Sequence, residues 1–271
     1  MDVIEQIVEW RRHYDGWVSE QRTRANEEEI DDSYPFVRNK RAPFTPARRA
    51  LPMLNLALVS SAGAYIDGTQ PFDTQAAGGD FDFREIPTEV EAADLRFATR
   101  VYDPAAVQQD MNAEIPLERL FEFESNGIIG QVNEVFWSLC GFIPDAATFT
   151  EKTLPRLVAR LQRYEVQAAL LIPASRLCHQ SVALAARAIE DAGIPTIMLA
   201  VVKDVVDSVR APRAGFYEGQ LGMVAGRPNW PEHQRRVLDE ALRLIEPMDQ
   251  PAVWNLTVEL ETQVEKSRGE K

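Results

Sequence analysis

Cysteine, histidine and positive charge are all scarce in this chain. Two cysteines, Cys140 and Cys178, occur in 271 residues, too few for a disulfide framework or a multi-cysteine zinc site. Three histidines (His13, His179 and His233) do not supply a His-rich metal cluster either, so neither a metal nor another cofactor is expected. Lys plus Arg number 29 against 42 Asp plus Glu, a formal charge of −13. Phosphate contacts need clustered Lys and Arg, so the balance argues against nucleic-acid and anionic-membrane partners. No stretch approaches the ~20 apolar residues of a membrane span. The start, MDVIEQIVEW, lacks the basic region and apolar run of a signal peptide. These absences predict a soluble, cytoplasmic protein with free thiols. The length suits one large domain or two lobes.

What is present divides into four stretches. Residues 1–50 read as an N-terminal helix and an extended arm. Ile4, Ile7, Val8 and Trp10 give the helix an apolar side. An acidic run follows (Glu27-Glu28-Glu29, Asp31-Asp32), then a proline-rich basic segment with Pro35, Pro43, Pro46, Arg38, Lys40, Arg41, Arg48 and Arg49. Proline at that density reads as extended chain, and its charges as a solvated face. The opposite signs also allow the arm to fold back or to grip a neighbouring subunit, and a homo-oligomer is expected. Residues 51–145 read as a first α/β lobe, with a buried strand at 54–59, a long loop over 67–93, a second strand at 94–101 and a helix over 116–125. Residues 146–250 read as a second lobe, with helices over 148–164 and 231–245. Its clearest unit is an apolar strand at 166–172, a helix over 178–192 stopped by Gly193, and a strand at 195–201. That is a βαβ unit, which implies a parallel sheet. Residues 251–271 read as a charged tail. The predicted fold class is therefore α/β, with two parallel-sheet lobes of Rossmann or flavodoxin type and an N-terminal arm.

In open α/β sheets ligands sit beyond the carboxyl ends of the strands. Ser175-Arg176-Leu177-Cys178-His179 lies in that place. A cysteine near a helix N-terminus feels the macrodipole and nearby backbone N–H groups, which favour thiolate. Cys178 is therefore the nucleophile candidate and His179 its base or proton donor, although a free cysteine is as a rule a small buried hydrophobe. Cys140, in an apolar stretch, reads as packing. Asp80, Asp82 and Arg84 would share one side of an extended segment and suit an amine or carboxylate. The acids and amide at Asp103, Asp110 and Asn112 match no specific metal spacing. No strand–GxGxxG–helix unit appears.

Several ordered motifs then carry a family resemblance from about Tyr34 to Glu246. They are Phe36-Val37-Arg38-Asn39 with Pro43-Phe44-Thr45-Pro46, the segment Ala57 to Ala64, Gly79-Asp80-Phe81-Asp82-Phe83-Arg84-Glu85-Ile86-Pro87, and Tyr102-Asp103 with Asp110-Met111-Asn112 and Ile115-Pro116. Further on come Gly127-Ile128-Ile129-Gly130, Gly141-Phe142-Ile143-Pro144, Pro173 to Ser181, and Ala188-Ile189-Glu190 with Gly193-Ile194-Pro195-Thr196. With these the chain resembles the selenoprotein B component of glycine/sarcosine/betaine reductase and the related subunit of D-proline reductase. The resemblance implies that a selenocysteine or cysteine attacks the carbon next to an amino group, expels the amine and forms a selenoether or thioether. Thiols of partner subunits, thioredoxin-like or other, then resolve it. The reactive position lies three residues before a cysteine, in a U-x-x-C arrangement. Here Ser175 stands at that position, and a serine hydroxyl has no redox chemistry.

Three readings follow. In the first, Cys178 is the nucleophile of a thiol-dependent enzyme cleaving C–N or C–S bonds of a small amine or amino-acid-derived substrate. In the second, a non-catalytic subunit or binding protein keeps the pocket. In the third, the cysteine is an acid/base group as in aspartate/glutamate racemases; those enzymes use two cysteines, and Cys140 is not read at a comparable strand end. The predicted cleft collects Ser60, Ser61, Asp80, Asp82, Arg84, Asp103, Ser175, Arg176, Cys178 and His179.

Overall fold

The computed structural model describes residues 1–21 and 33–258. In chain order the strands are β1 (Asn55–Ser60), β2 (Ala64–Ile66), β3 (Phe83–Pro87), β4 (Leu95–Phe97), β5 (Gln131–Val132), β6 (Val135–Leu139), β7 (Ala168–Ile172), β8 (Thr196–Ala200), β9 (Arg213–Phe216) and β10 (Ala252–Asn255). The helices are α1 (Ile7–Gln21), α2 (Ala105–Gln109), α3 (Leu117–Ser125), α4 (Ala146–Thr148), α5 (Leu154–Arg163), α6 (Arg176–Asp191), α7 (Lys203–Val209) and α8 (Pro231–Leu242). A wider π-type turn at Phe149–Thr153 joins α4 to α5; Pro155, with no N–H to donate, stands just beyond it.

The α/β class holds, but the strands expected at 54–59, 166–172 and 195–201, in two lobes, belong to one sheet. Its order is β10-β9-β8-β7-β1-β6-β3, with β5 beside the start of β1. β1 pairs with β7 in parallel from Leu56↔Ala168 to Ser60↔Ile172. The physical reason is that β7 is buried at every residue. A strand buried on both faces needs a partner on each edge and a layer over each face. Several elements escaped the periodicity reading, among them the short β2, β5, β9, α2 and α7. β3, antiparallel to β6 at the sheet edge, lies inside the expected loop. β10 lies inside the expected tail, and β6 was not anticipated. The strand expected at 94–101 is only the short β4, paired antiparallel with β2 away from the main sheet.

Side chains alternate between the faces. Ala57, Val59, Trp137, Leu139, Ala169, Leu171, Met198 and Ala200 face one core, closed by apolar residues of α1, α5, α6 and α7. Leu56, Leu58, Phe136, Leu170, Ile172, Ile197 and Leu199 face the other, closed by α3 and α8. Among the described residues no helix is long and apolar enough to cross a membrane.

The basic arm keeps the side chains of Arg38, Lys40, Arg41, Arg48 and Arg49 exposed, as its charge run suggests. It folds back on its own chain and is bonded along its length. Tyr34 donates to Pro144 O at 2.7 Å, and Val37 N to Gln180 Oε1 at 2.8 Å. Lys40 N and Arg41 N donate to the Glu5 carboxylate, at 3.0 and 2.8 Å. Buried Arg187 donates to four backbone carbonyls, those of Asp2, Val3, Arg41 and Arg210. The acidic run at 27–32 lies outside the described residues. At the far end of α6, Glu190 and Arg213 form an ion pair with both side chains fully buried. Glu190 also accepts from Thr45 N and Thr196 N, and Arg213 donates to Thr45 O.

Burial works against both charges of that pair, so each depends on the other and on the arm. Removing one partner leaves an uncompensated buried charge, a loss of about 3–5 kcal/mol. Glu190→Ala is accordingly expected to lower the unfolding free energy by that amount, read as a lower urea midpoint at unchanged m-value. A change below about 0.5 kcal/mol, the scale of ordinary surface substitutions, would show that the pair does not hold the arm.

Candidate active site

The strand order reverses at β1. The chain runs from β1 to β5 and β6 on one side, then returns to β7 on the other. Such a switch point opens a crevice at the carboxyl ends of the two diverging strands. The loops after β1 and β7 meet there. Ser61 N donates to Ile172 O at 3.0 Å, and Ala174 N to Ser61 Oγ at 3.1 Å. Ser60 Oγ accepts from Ala62 N, 3.2 Å away. Ser175 is the N-cap of α6, accepting from Cys178 N at 3.0 Å, a bond that satisfies one of the orphan donors of the first turn. Its hydroxyl also donates to Cys178 Sγ at 3.0 Å. The Cys178 thiol in turn donates to Gly141 O at 3.1 Å. Ser61, Ser175 and Cys178 are thus brought together, with Ser60 next to Ser61 at the end of β1.

The electrostatics differ from the expectation of a thiolate. Burial pushes the Cys178 thiol up; bonds from the side chains of Ser175 and Ser61 and the backbone of Ser175 and Ala174 pull the other way without winning. Desolvation exceeds the helix-terminus effect because only 1% of the residue is exposed. His179 does not reach the sulfur. Its Nδ1 lies 2.6 Å from Ser175 O, and its Nε2 accepts from Val201 N at 3.1 Å and Val202 N at 3.3 Å. An acceptor at Nε2 places the proton on Nδ1. Burial first of all lowers its pKa to about 4. It is a neutral clamp between the start of α6 and the end of β8, and the geometry gives it no proton-transfer role at Cys178.

A roof covers this crevice. The Tyr102 hydroxyl donates to Ala62 O at 2.6 Å, and its ring lies between Gly141 and Gly222. A methyl group at Gly141 would meet the ring at 3.5 Å; one at Gly222 would meet it at 3.3 Å and Asp103 O at 2.9 Å. Gly222, at φ +76°, donates its N–H to Ala174 O at 2.9 Å. Tyr102 and Gly141 belong to motifs visible in the sequence, but their joint action on Cys178 comes only from the fold. Cys140 also needs correction as to place. It directly follows β6, so it does stand at a strand end, beside Gly141. Burial pushes its thiol up to about 11.

The other expected residues do not converge on the sulfur. Arg84 lies 3.7 Å from Asp80 and 3.8 Å from Asp82, so these three do cluster. However, Asp82 pairs with Arg156 at 2.8 Å. Asp82 and Arg84 line a separate cleft of about 620 Å³ along the edge strand β3. Asp80 is used by the backbone N–H groups of Asp73 and Asp82. Asp103 is exposed and accepts from Ala105 N. Arg176 faces away, paired with Asp204 at 2.6 Å beneath the ring of Phe36. Asp110 accepts from Asn112, Asn229 and Gln234, a structural role. His233 is buried and accepts from Arg227 N. Among the described residues no group of three or more His, Cys, Asp or Glu side chains is placed to hold a metal ion.

The sequence profile of the glycine/sarcosine/betaine reductase selenoprotein B family matches residues 22–174. The chain belongs to that family. It is 32% identical over 200 residues to the D-proline reductase subunit gamma of Acetoanaerobium sticklandii, covering 74% of this chain and 81% of the relative. It is 26% identical over 191 residues to the glycine reductase complex component B subunit gamma of Carboxydothermus hydrogenoformans, covering 69% of this chain and 43% of the relative. With the sarcosine reductase complex component B subunit beta of Peptoclostridium acidaminophilum it shares 27% identity over 194 residues, covering 69% and 43%. The chain thus spans most of the D-proline reductase subunit and less than half of the other two. No solved structure matches it.

In this selenoprotein B family member the profile match ends one residue before Ser175, so the loop that holds Cys178 lies just past it. Two outcomes are expected of the site. Tyr102→Ala should speed alkylation of Cys178 by iodoacetamide at least tenfold, read by peptide mass spectrometry; a rate equal to wild type would remove Tyr102 as the roof. His179 is kept neutral, so the unfolded chain binds its proton first as the pH falls. Its stabilisation is complete above about 6.5 and is lost toward about 4. His179→Gln should therefore flatten the loss of stability over that window by up to about 3 kcal/mol. A slope identical to wild type would contradict the clamp.

Proposed function

We propose that this chain is a reductase-type enzyme subunit acting on a small amine or amino-acid-derived substrate, with Cys178 as its reactive sulfur. The observation that carries the reading is the place of Cys178 Sγ. It lies on the first turn of α6 at the β1/β7 switch point, 3.0 Å from the Ser175 hydroxyl. Family membership supplies the reaction class. The candidate substrates are those named for the relatives: glycine, sarcosine, betaine and D-proline.

When the roof opens and the thiol leaves Gly141 O, water reaches the sulfur and the desolvation that keeps it protonated falls. The Ser175 hydroxyl and the N–H groups of the first helical turn then stabilise the thiolate. The thiolate attacks the carbon bearing nitrogen. A C–S bond forms as the C–N bond breaks, and the electron pair leaves with the amine. A thiolate of a partner subunit next attacks the Cys178 sulfur. The carbon departs with the C–S pair and takes up a proton, leaving a mixed disulfide that a second partner thiol reduces. Ser175, where the family pattern has selenocysteine, acts as cap and hydrogen-bond donor to the sulfur, since its oxygen carries no redox chemistry. In a reducing cytoplasm both cysteines remain thiols.

A second reading, a non-catalytic subunit that retains the pocket, is favoured by one observation: the buried thiol is held protonated. The two readings separate on one variant. Cys178→Ala should abolish dithiol-dependent release of amine from the four candidate substrates, assayed with the partner subunits present, and leave assembly with those subunits intact. Full turnover by the variant would overturn the catalytic reading.

A further inference from the structure

Glu114 is the one fully buried carboxyl in the region of the roof, and no step above uses it. It has no exposed surface. Its Oε1 accepts from Val224 N at 2.9 Å, while its Oε2 is buried without a hydrogen-bond partner. Among the described residues no Lys, Arg or His pairs with it. A carboxyl left this way is costly to keep unless something completes it.

Its position relates it to the thiol. The segment 222–225 spans the two. Gly222 N bonds Ala174 O, next to Ser175, at one end; Ala225 N bonds Ala113 O, and Val224 N bonds Glu114, at the other. Tyr102, packed on Gly222, lies within the electrostatic reach of both Glu114 and Cys178. The tyrosine therefore packs on the segment that joins the neighbourhoods of the buried thiol and of a buried acid that lacks a cation.

We propose that Glu114 is the specificity-determining residue of the Cys178 site, supplying the carboxylate that receives a cationic nitrogen once Tyr102 has moved. The unpartnered Oε2 provides the acceptor, and the absence of a protein cation leaves the countercharge to the ligand. This rests on the reading of Cys178 as the reactive sulfur. Binding of an ammonium would ionise Glu114 and release its proton, because desolvation keeps the empty carboxyl neutral.

The test is ligand protection, which needs neither partner subunits nor turnover. Glycine, sarcosine, betaine and D-proline are each titrated against iodoacetamide labelling of Cys178 in the full chain, with Cys140 as internal reference. At least one amine should protect wild type. Glu114→Gln should require at least tenfold more of it, with unliganded labelling unchanged, and Glu114→Asp should recover part of the difference. Thermal melting checks that each variant is folded. Calorimetry in two buffers of different ionisation enthalpy should show proton release on binding to wild type and none with Glu114→Gln. Equal protection of Glu114→Gln, or no protection of wild type by any of the four, overturns the assignment. Full turnover by Cys178→Ala overturns the underlying reading of the sulfur instead.

Discussion

The parallel pairing of β1 with β7 is the constraint on which the rest of the structure depends. Five residues of each strand are in register, and the two strands lead their chains to opposite halves of the sheet. Because a parallel sheet is covered on both faces, that pairing requires the α1, α5, α6 and α7 layer on one side and the α3 and α8 layer on the other. It also sets the loops after Ser60 and Ile172 side by side. Ser61 binds Ile172 and Ala174 directly, so the crevice is stitched by the same pairing that makes it. The buried Glu190–Arg213 pair and Arg187 then fix the arm across α6, the helix whose first turn carries Cys178.

Two effects compete at that sulfur. A helix N-terminus and a serine donor favour thiolate by roughly 1–2 kcal/mol together. Complete burial opposes charge by several kcal/mol, and in the closed state burial wins. The consequence is a shielded, protonated thiol. The same logic applies to Glu114, where burial keeps the acid neutral and no protein cation compensates. Tyr102 packs on Gly141 and Gly222, whose neighbours Cys178 and Val224 bond to Gly141 O and Glu114, so its position bears on both groups.

Legibility in the sequence followed local pattern. The βαβ unit from Ala168 to Ala200 was readable because β7 and β8 are continuously apolar and α6 begins after a serine cap and ends at Gly193. β3 was not, since Arg84 and Glu85 are the polar residues of an edge strand and blend into a Gly- and Asp-rich loop. β10 hid in the tail for the same reason, with exposed Trp254 and Asn255. The place of Ser175 and Cys178 beyond β7 was accessible from strand–loop–helix order, but the cap and the hydrogen bond that join them were not. The role of His179 was not, because its partners Val201 and Val202 lie across the next strand. The roof depends on Tyr102, Gly141 and Gly222 from three distant segments, which no window of sequence joins. The Asp80–Arg84 cluster was real, but Asp82 and Arg84 line the cleft along β3 rather than the switch point.

The central claim is that the crevice at the β1/β7 switch point is where the substrate binds. Crystals of the Tyr102→Ala variant grown with D-proline and, separately, with sarcosine test it most directly. The account predicts electron density for the amine between Cys178 Sγ and Glu114, under the segment 222–225. Density only in the cleft beside Arg84 and Arg156, with the switch point filled by protein alone, would contradict it.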